Sequence, residues 1–452
     1  MCQWSFEHGI ESKAVKPRVF ASVVLLTVAA VFPVFQATSP VSAMGVAGGT
    51  TDTPTTISMA WVFDQHVPID QVQADEAAQN VGFVWGAIAP ETAGGTAAHY
   101  FYLSWQQGFC PNNGLSLSCP SGAPPSLPWL RAHHPDWILW QANAKGRPTV
   151  PARSPSDPGP IVDFTNPAVQ KYWVDNLIRP ALRAGYAGVS WDHSIPYNAY
   201  RAVGHYNTKR QFVRLYNGDT EQPAYAAAQA SAVSRMLLMA QAIRPSAQFA
   251  SSVSNACDYP HQSDWFEALQ HVQIVFDEAG YTNWGDSKYP WVTASSAASC
   301  RNQWLERTEA YIKLQKEGKS LILDNEIPMA LSPDETKTNM QVRALMQWSL
   351  ANYLLVKYSH TYFWFGTLQR YGYPLVLQPE ELVDLGTPVG DMRAEENVYV
   401  RRYSKGMAVV NPSAHRSLTI TLPKAKYETL YGRVIDSATL APHSGLILTL
   451  KG

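Results

Sequence analysis

Residues 185–192 read Gly185-Tyr-Ala-Gly-Val-Ser-Trp-Asp192, and their order predicts the end of a helix followed by a short buried strand. Upstream, Asn166-Pro167 supplies an N-cap and a proline at the first helical position, and apolar residues recur on one helix face until Gly185. The strand over 188–191 has no charged residue, as expected where both faces of a parallel sheet are covered. It ends at the carboxylate of Asp192.

The same alternation of helix and buried strand extends in both directions along the chain. Eight short β-rich runs predict strands at 57–63, 81–87, 137–141, 188–191, 248–253, 272–276, 320–323 and 361–365. Helices are predicted over 166–185, 224–243, 301–317 and 334–358, and long loops over 90–128 and 145–160. Eight βα units predict an α/β protein with a (β/α)8 TIM barrel over 44–385. The short alternating runs beyond Pro388 predict a small all-β sandwich over 386–452, with strands at 398–403, 407–411, 417–422 and 446–450.

Composition excludes some classes of partner. Among the 452 residues, 35 Lys+Arg nearly balance 36 Asp+Glu, so the chain lacks the basic excess expected of a nucleic-acid binder. Its 15 Trp, 22 Tyr and 15 Phe fit either aromatic core layers or a cleft in which rings stack on sugars. No dinucleotide, phosphate-loop or Gly-x-Ser-x-Gly motif is present, and we expect no cofactor and no metal.

The first 43 residues have the pattern of an export signal. Lys13, Lys16 and Arg18 precede an apolar run, and Val41-Ser42-Ala43 has small residues where a signal peptidase cleaves. An uncleaved anchor is the alternative, and no later segment is expected to span a membrane. We therefore expect a secreted or periplasmic protein. Four cysteines then remain, and their spacing favours disulfide bonds Cys110–Cys119 and Cys257–Cys300 over zinc ligation.

Four of the predicted strands end in carboxylates, at the barrel edge where catalytic residues of this fold lie. They are Asp64 on the first strand, Asp192 on the fourth, the doublet Asp277-Glu278 on the sixth, and Glu326 in Asp324-Asn-Glu326 on the seventh. A carboxylate pair is what glycosidic cleavage requires, one protonated and one ionised. Neighbouring strand residues point in opposite directions, so one of Asp277 and Glu278 should face the cleft, and Glu278 is preferred. Helix capping is the alternative role for each.

The stretch Asp163-Phe-Thr-Asn-Pro167 followed by residues 185–192 resembles (β/α)8 glycoside hydrolases of the α-galactosidase and α-glucosidase type. Together with Asp384-Leu-Gly-Thr-Pro-Val-Gly390 and Val409-Val-Asn-Pro412, the whole chain resembles glycosyl hydrolase-like family 15. The resemblance implies a nucleophile at Asp192 and an acid/base at Glu278 or Asp277. The acidic doublet and Glu326 depart from that pattern, since other barrels of the superfamily take their nucleophile from strand seven.

The remaining candidates are polar and aromatic residues near the predicted strand ends, where they could contact a carbohydrate substrate. They are Trp61, Trp85, Trp140, Trp191, His193, Asn255, Tyr281 and Trp364. Core packing is the alternative for about half of the tryptophans. The sequence therefore predicts a glycoside hydrolase that cleaves O-glycosidic bonds of an oligo- or polysaccharide. A barrel that binds glycans without cleaving them is the main alternative, and a metal-dependent hydrolase is the next.

Overall fold

The computed structural model describes residues 57–62, 81–87, 97–104, 127–143, 145–151, 161–192, 194, 202–217, 222–252, 262–278, 280–282, 303–327, 339–367, 379–424 and 426–451. The predicted export signal and all five cysteines lie outside these residues. No helix within them is long and apolar enough to cross a membrane.

Eight parallel strands form a closed barrel, which confirms the predicted fold class. In barrel order they are β1 (Met59–Val62), β2 (Val81–Trp85), β3 (Ala98–Ser104), β6 (Gly188–Asp192), β9 (Gln248–Ser252), β10 (Ile274–Asp277), β11 (Ser320–Ile327) and β12 (Thr361–Thr367), which pairs with β1 to close the ring. Parallel strands need crossover connections, so their carboxyl ends all meet at one rim.

The third barrel strand was predicted in the wrong place. It is β3, within the segment predicted as the loop 90–128, and it pairs with β6 so that Tyr100 lies beside Gly188. The run predicted at 137–141 instead contributes β4 (Trp140–Ala142) to a separate antiparallel sheet with β5 (Pro148–Pro151), β7 (Ala202–Tyr206) and β8 (Phe212–Asn217). Both runs have strand-forming composition, and only pairing with distant segments decides which one enters the barrel.

The helices follow their predicted caps closely. The described helices are α1 (Leu127–His133), α2 (Pro167–Trp173), α3 (Arg179–Ala184), α4 (Gln222–Gln241), α5 (Gln262–Ala268), α6 (Gln303–Lys316) and α7 (Met340–Val356). Asn166 caps α2 by accepting the Ala168 N–H at 2.9 Å, and a π-helical turn, Val174–Ile178, joins α2 to α3. Gly185, at φ 114°, ends α3 in a left-handed conformation that favours glycine.

Alternation along each strand divides the buried side chains into two layers. An inner layer fills the barrel and includes Phe83, Trp85, Phe276, Ile322 and Trp364. An outer layer lies between the barrel strands and the helices. It consists of the strand residues that alternate with the inward-facing ones, such as Val275 and Leu323. This parity determines which residue at each strand end faces the barrel axis.

The C-terminal domain is all β and contains two facing sheets. The strands are β13 (Arg393–Glu395), β14 (Val398–Tyr403), β15 (Gly406–Asn411), β16 (Leu418–Thr421), β17 (Tyr427–Thr429), β18 (Val434–Ile435), β19 (Ser437–Leu440) and β20 (Ser444–Leu450). Six form one sheet and β16 pairs with β19, and a shared apolar core lies between the two sheets. Helix α7 packs against β14, β15 and β20, and the Tyr403 hydroxyl of β14 donates to the Leu354 carbonyl of α7 at 2.6 Å.

Candidate active site

Three neighbouring regions of the barrel rim direct carboxyl groups toward the axis. Side chains alternate along a strand, and three inward positions on β6, β10 and β11 are Ser190, Phe276 and Ile322. The residue two places after each of them therefore faces inward as well. These residues are Asp192, Glu278 and Asp324, and Glu326 follows Asp324 on the same side of β11. Strands β6, β9, β10 and β11 are consecutive in the barrel. Four carboxyl side chains therefore share one space at the carboxyl end of the barrel.

Asp192 is held by a tyrosine from the neighbouring strand. The Tyr102 hydroxyl of β3 donates to Asp192 Oδ2 at 2.5 Å, and Asp192 is 9% exposed. A hydrogen bond from a hydroxyl to a carboxylate stabilises the ionised form and limits its rotation. Asp192 is thus positioned at the edge of the lumen, with its carboxylate oriented.

Glu278 is the partner of Asp192. Its Oε1 accepts a hydrogen bond from the Ser252 hydroxyl of β9, and the Asp192 carboxylate is close enough to raise the pKa of Glu278. Part of Glu278 is exposed, yet its carboxyl is surrounded by protein atoms, and burial is the main reason why its pKa is well above the usual value. The negative charges of Asp192 and Glu326 raise the pKa further, while the Ser252 hydroxyl opposes the rise.

Asp324 and Glu326 form a second carboxyl pair on β11. They are 0% and 1% exposed, and their carboxyls are close enough to shift each other's pKa. Burial raises the pKa of Asp324 well above its usual value, and the charge of Glu326 adds to this effect. Burial also raises the pKa of Glu326 to about 8, although the neighbouring Asp324 carboxyl opposes the rise. Raised pKa values let two adjacent buried carboxyls avoid carrying two negative charges.

Among the described residues, the charges that raise the pKa values of Glu278, Asp324 and Glu326 belong to other acidic residues. The described residues contain no group of three or more His, Cys, Asp or Glu side chains arranged to hold a metal ion.

Two predicted site residues, Asp277 and Tyr281, do not face the barrel lumen. The Asp277 carboxyl is on the outer face of β10, where it accepts hydrogen bonds from the Tyr311 hydroxyl at 2.7 Å and the Gly280 N–H at 3.2 Å. Tyr281 is fully buried, and its hydroxyl lies 2.9 Å from Thr308 Oγ1 on α6. Both therefore support the packing of α6 against the barrel, and neither faces the lumen.

The tryptophans divide according to strand parity. Trp61 and Trp191 belong to the outer layer, and Trp191 packs on Trp173 and Phe249 with ring centroids 5.7 Å away in each case. The prediction that these two rings contact sugar is therefore wrong, because odd-numbered positions on β1 and β6 point toward the helices. They are core residues.

Trp85 and Trp364 are in the inner layer. Trp85 stacks on Phe276 with centroids 4.1 Å apart, deep in the barrel. Trp364 is 8% exposed, and its ring covers Gly366, since a Cβ at Gly366 would lie 2.1 Å from it. Trp364 pairs in register with Asp324 and so lies beside the carboxyl cluster, while Trp140 is on β4 outside the barrel, edge-on to Tyr206. Asp64, His193 and Asn255 lie outside the described residues.

Three residues of the site were not singled out by the sequence as candidates: Tyr102, Ser252 and Asp324. Tyr102 was missed because β3 was assigned to a loop. Ser252 is the last residue of a predicted strand, and the alternation through Ala250 could have identified it as inward-facing. Asp324 is two residues before Glu326, so the same alternation places both on one side of β11.

A closed (β/α)8 barrel with a carboxyl cluster at its carboxyl-end rim is the architecture of a large class of glycoside hydrolases, and this chain is a glycoside hydrolase of that class. It belongs to the family described as hypothetical glycosyl hydrolase family 15, whose model matches residues 120–407. The predicted resemblance to that family is confirmed. Among curated protein sequences, none is similar enough to count as a match.

Solved structures that are similar to this chain include a pullulan hydrolase and two amylases. The type III pullulan hydrolase from Thermococcus kodakarensis is 9% identical, with TM-score 0.40 over 87% of this chain and 75% of that one. A maltogenic alpha-amylase from Thermotoga neapolitana is 10% identical, with TM-score 0.40 over 88% and 99%. An alpha-amylase from Anoxybacillus is 12% identical, with TM-score 0.40 over 79% and 76%. At such low identity the similarity concerns the fold alone.

Proposed function

We propose that the protein hydrolyses O-glycosidic bonds of an oligo- or polysaccharide, with Asp192 as the nucleophile and Glu278 as the general acid and base. The observation that carries the proposal is that both carboxyls face the lumen at the barrel rim, where Tyr102 holds Asp192 and Ser252 holds Glu278. Glycosidic cleavage uses one ionised and one protonated carboxyl group on the two sides of the scissile bond. The Tyr102 hydroxyl favours the ionised form of Asp192, and the raised pKa keeps the proton on Glu278.

The closeness of the pair favours retention of anomeric configuration. Inverting enzymes hold their carboxyls roughly 6.5 to 9.5 Å apart to admit a water molecule, whereas retaining enzymes hold them roughly 5 Å apart. Asp192 and Glu278 come from strands separated in the barrel by β9 alone, and the charge of Asp192 is close enough to raise the pKa of Glu278. A nucleophilic role for Asp192 is thus preferred over a role in activating water.

The proposed reaction has two steps. An Asp192 carboxylate oxygen bonds to the anomeric carbon as the bond to the leaving oxygen breaks, and that oxygen takes the Glu278 proton. Water then attacks the anomeric carbon, its proton passes to Glu278, and the bond to Asp192 breaks. Both carboxyls return to their starting states.

The organisation of the whole chain is part of the proposal. Residues 44–385 form the catalytic barrel and 386–452 the C-terminal domain, while residues 1–43 direct export to a secreted or periplasmic location. The export signal rests on the basic residues, the apolar run and the small residues before Met44.

The proposal is tested by incubating the protein with a panel of glycans and measuring new reducing ends. We expect at least one glycan to be cleaved, with product of unchanged anomeric configuration by NMR and with loss of cleavage in Asp192→Asn. Asp277→Asn is the matched control, because it removes an equivalent carboxylate that faces the helices. Binding of a glycan with no new reducing ends would indicate the non-catalytic alternative.

A further inference from the structure

The hairpin that joins β17 to β18 presents a tyrosine, Tyr431, at its tip. In the turn, the Gly432 N–H donates to the Thr429 carbonyl and the Thr429 N–H donates to the Arg433 carbonyl, both at 2.9 Å. Gly432 has φ 75°, in the left-handed region that favours glycine in a tight turn. Tyr431 is 67% exposed. The turn therefore holds a large aromatic ring at the surface of the C-terminal domain.

The hydroxyl end of this exposed ring is fixed by two charged side chains. Tyr431 Oη accepts a hydrogen bond from the Arg343 guanidinium of α7 at 2.6 Å and donates one to Glu380 Oε1 at 2.9 Å. Arg343 also forms an ion pair with the same Glu380 oxygen at 2.8 Å. Burial by itself would raise the pKa of Glu380, but its hydrogen bonds with Arg343 and Tyr431 help to lower the pKa below its usual value. Glu380 is therefore ionised at neutral pH, and the three side chains form a closed triangle.

This triangle orients the ring before any ligand arrives. An exposed side chain normally keeps its rotamer freedom, and losing that freedom on binding costs free energy. The two hydrogen bonds hold the Tyr431 hydroxyl in one place, and the guanidinium carbon of Arg343 lies 5.3 Å from the ring centroid. A ring that is both exposed and fixed is preorganised for binding a flat apolar surface.

The triangle lies at the same end of the barrel as the carboxyl cluster. Helix α7 connects β11 to β12, so it begins near the carboxyl rim and ends near the opposite rim. Arg343 belongs to the first turn of α7 and is therefore at the rim end. At the other end of the helix, Arg401 of the C-terminal domain donates to the Lys357 carbonyl. The hairpin with Tyr431 is thus on the side of the molecule where the barrel lumen opens.

We propose that Tyr431 is an outlying binding site for one sugar unit of a neutral polysaccharide that is cleaved at Asp192 and Glu278. This inference rests on the proposed function, and it makes the substrate a polymer that extends from the lumen to the C-terminal domain. The apolar C–H face of a sugar ring packs on the tyrosine ring. The Arg343 side chain is 41% exposed, so its guanidinium can donate to sugar hydroxyls beside the ring.

Size and charge favour a sugar as the occupant. An aromatic side chain offers about 150–250 Å² of surface, well below the roughly 800 Å² that each partner buries in a stable protein–protein interface. The charges beside the ring belong to Arg343 and Glu380, which are paired and sum to zero. A nucleic acid or an acidic glycan would instead need a positive surface. One flat ring beside a neutral polar pair is matched to one unit of a neutral sugar chain.

Affinity electrophoresis of the full chain tests the binding site. Native gels contain soluble starch, pullulan, hydroxyethyl cellulose, xylan or galactan, and every protein carries Asp192→Asn so that the polymer stays intact during the run. We expect at least one polymer to retard the protein and Tyr431→Ala to weaken that affinity about three- to tenfold, the effect of one aromatic contact. Tyr431→Phe keeps the ring but loses both hydrogen bonds of the hydroxyl, so its affinity should fall between the two.

The control is Leu238→Ala, which removes an apolar side chain of similar exposure, 65%, near the carboxyl end of α4 and so away from the rim. It should leave the retardation unchanged. Melting curves establish that each variant is folded. Equal retardation of Tyr431→Ala and its parent by every polymer would overturn the inference, and so would the absence of retardation by all five polymers.

Hydrolysis kinetics separate this inference from the proposed function. With Asp192 intact, Tyr431→Ala should raise the KM for the polymer about three- to tenfold, and the loss in kcat/KM should be confined to the polymer when it is compared with a short aryl glycoside. A polymer cleaved with the same KM by both proteins would support the function and overturn the outlying site. Retardation that depends on Tyr431, without cleavage of any glycan, would support the binding site and overturn the catalytic role.

Discussion

Replacing Glu278 by Gln tests the assignment of the general acid most directly. The amide has the same size as the carboxyl and can still accept the Ser252 hydroxyl, so the position is filled as before. It removes the transferable proton. General acid catalysis contributes about 10²- to 10⁴-fold, equivalent to about 3–5 kcal/mol of transition-state stabilisation.

That loss should depend on the leaving group. Glycosides with alkoxide-like leaving groups need the Glu278 proton, so their kcat/KM should fall by about three orders of magnitude. Dinitrophenyl glycosides expel an already stable anion, and their first step should slow by less than about tenfold. The assay is the kcat/KM of both substrate types for the wild type and the variant.

The pH profile gives a second measurement of the same group. Because the pKa of Glu278 is raised, the acid form persists to a higher pH than in an ordinary glutamate and is lost as the pH rises above that pKa. The wild-type kcat/KM on poor leaving groups should therefore fall as the pH rises through the raised pKa. In Glu278→Gln the limb that depends on this residue should disappear.

Asp277→Asn is the control, since the neighbouring carboxyl points to Tyr311. Its free energy of unfolding should fall by about 1 kcal/mol, while the ratio between the two substrate types stays as in the wild type. Equal losses on both substrate types in Glu278→Gln would refute the assignment. So would a silent Glu278→Gln beside an inactive Glu326→Gln, which would move the acid to β11.

Three other predictions concern the nucleophile, the C-terminal domain and the cysteines. Asp192→Asn should lower turnover by at least about three orders of magnitude, roughly 4 kcal/mol, with the fold retained by circular dichroism; near-normal turnover would exclude Asp192 as the nucleophile. Deletion of residues after Pro388 should lower the melting temperature by more than about 5 °C. The reason is that Ala408, Val410 and Ile447 belong to the apolar layer that covers α7, and Arg401 donates to the Leu355 carbonyl at 3.2 Å. A truncated protein that melts at the same temperature as the full chain would contradict this packing. Non-reducing peptide mapping should recover Cys110–Cys119 and Cys257–Cys300, the second of which restricts the unfolded chain by roughly 3 to 4 kcal/mol, and four free thiols in the exported protein would disprove the pairing.

Much of the site could be predicted because the face of a strand on which a side chain lies is determined locally. Side chains alternate with a period of two, so a strand ending in Asp277-Glu278 can present only one of the two residues to the lumen, and the structure places Glu278 there. The helix ends at Asn166 and Gly185 were equally local, since a cap or a left-handed turn depends on its own few residues. Counting such units was enough to predict the barrel.

Tertiary structure alone decided which strands are neighbours and which groups meet. The runs at 98–104 and 137–141 look alike in composition, and pairing with β6 selects the first as the third barrel strand. The orientation of Trp61 and Trp191 toward the helices likewise depends on which face of each strand the barrel encloses.

Asp192 and Glu278 are 86 positions apart in the sequence, and the burial of Asp324 depends on every element packed around it. Proximity and burial set the electrostatic energy of a carboxyl, and both arise from segments far apart in the chain. The sequence by itself therefore determined which strands end in carboxylates. The closed barrel decided which of those carboxyls face the lumen together.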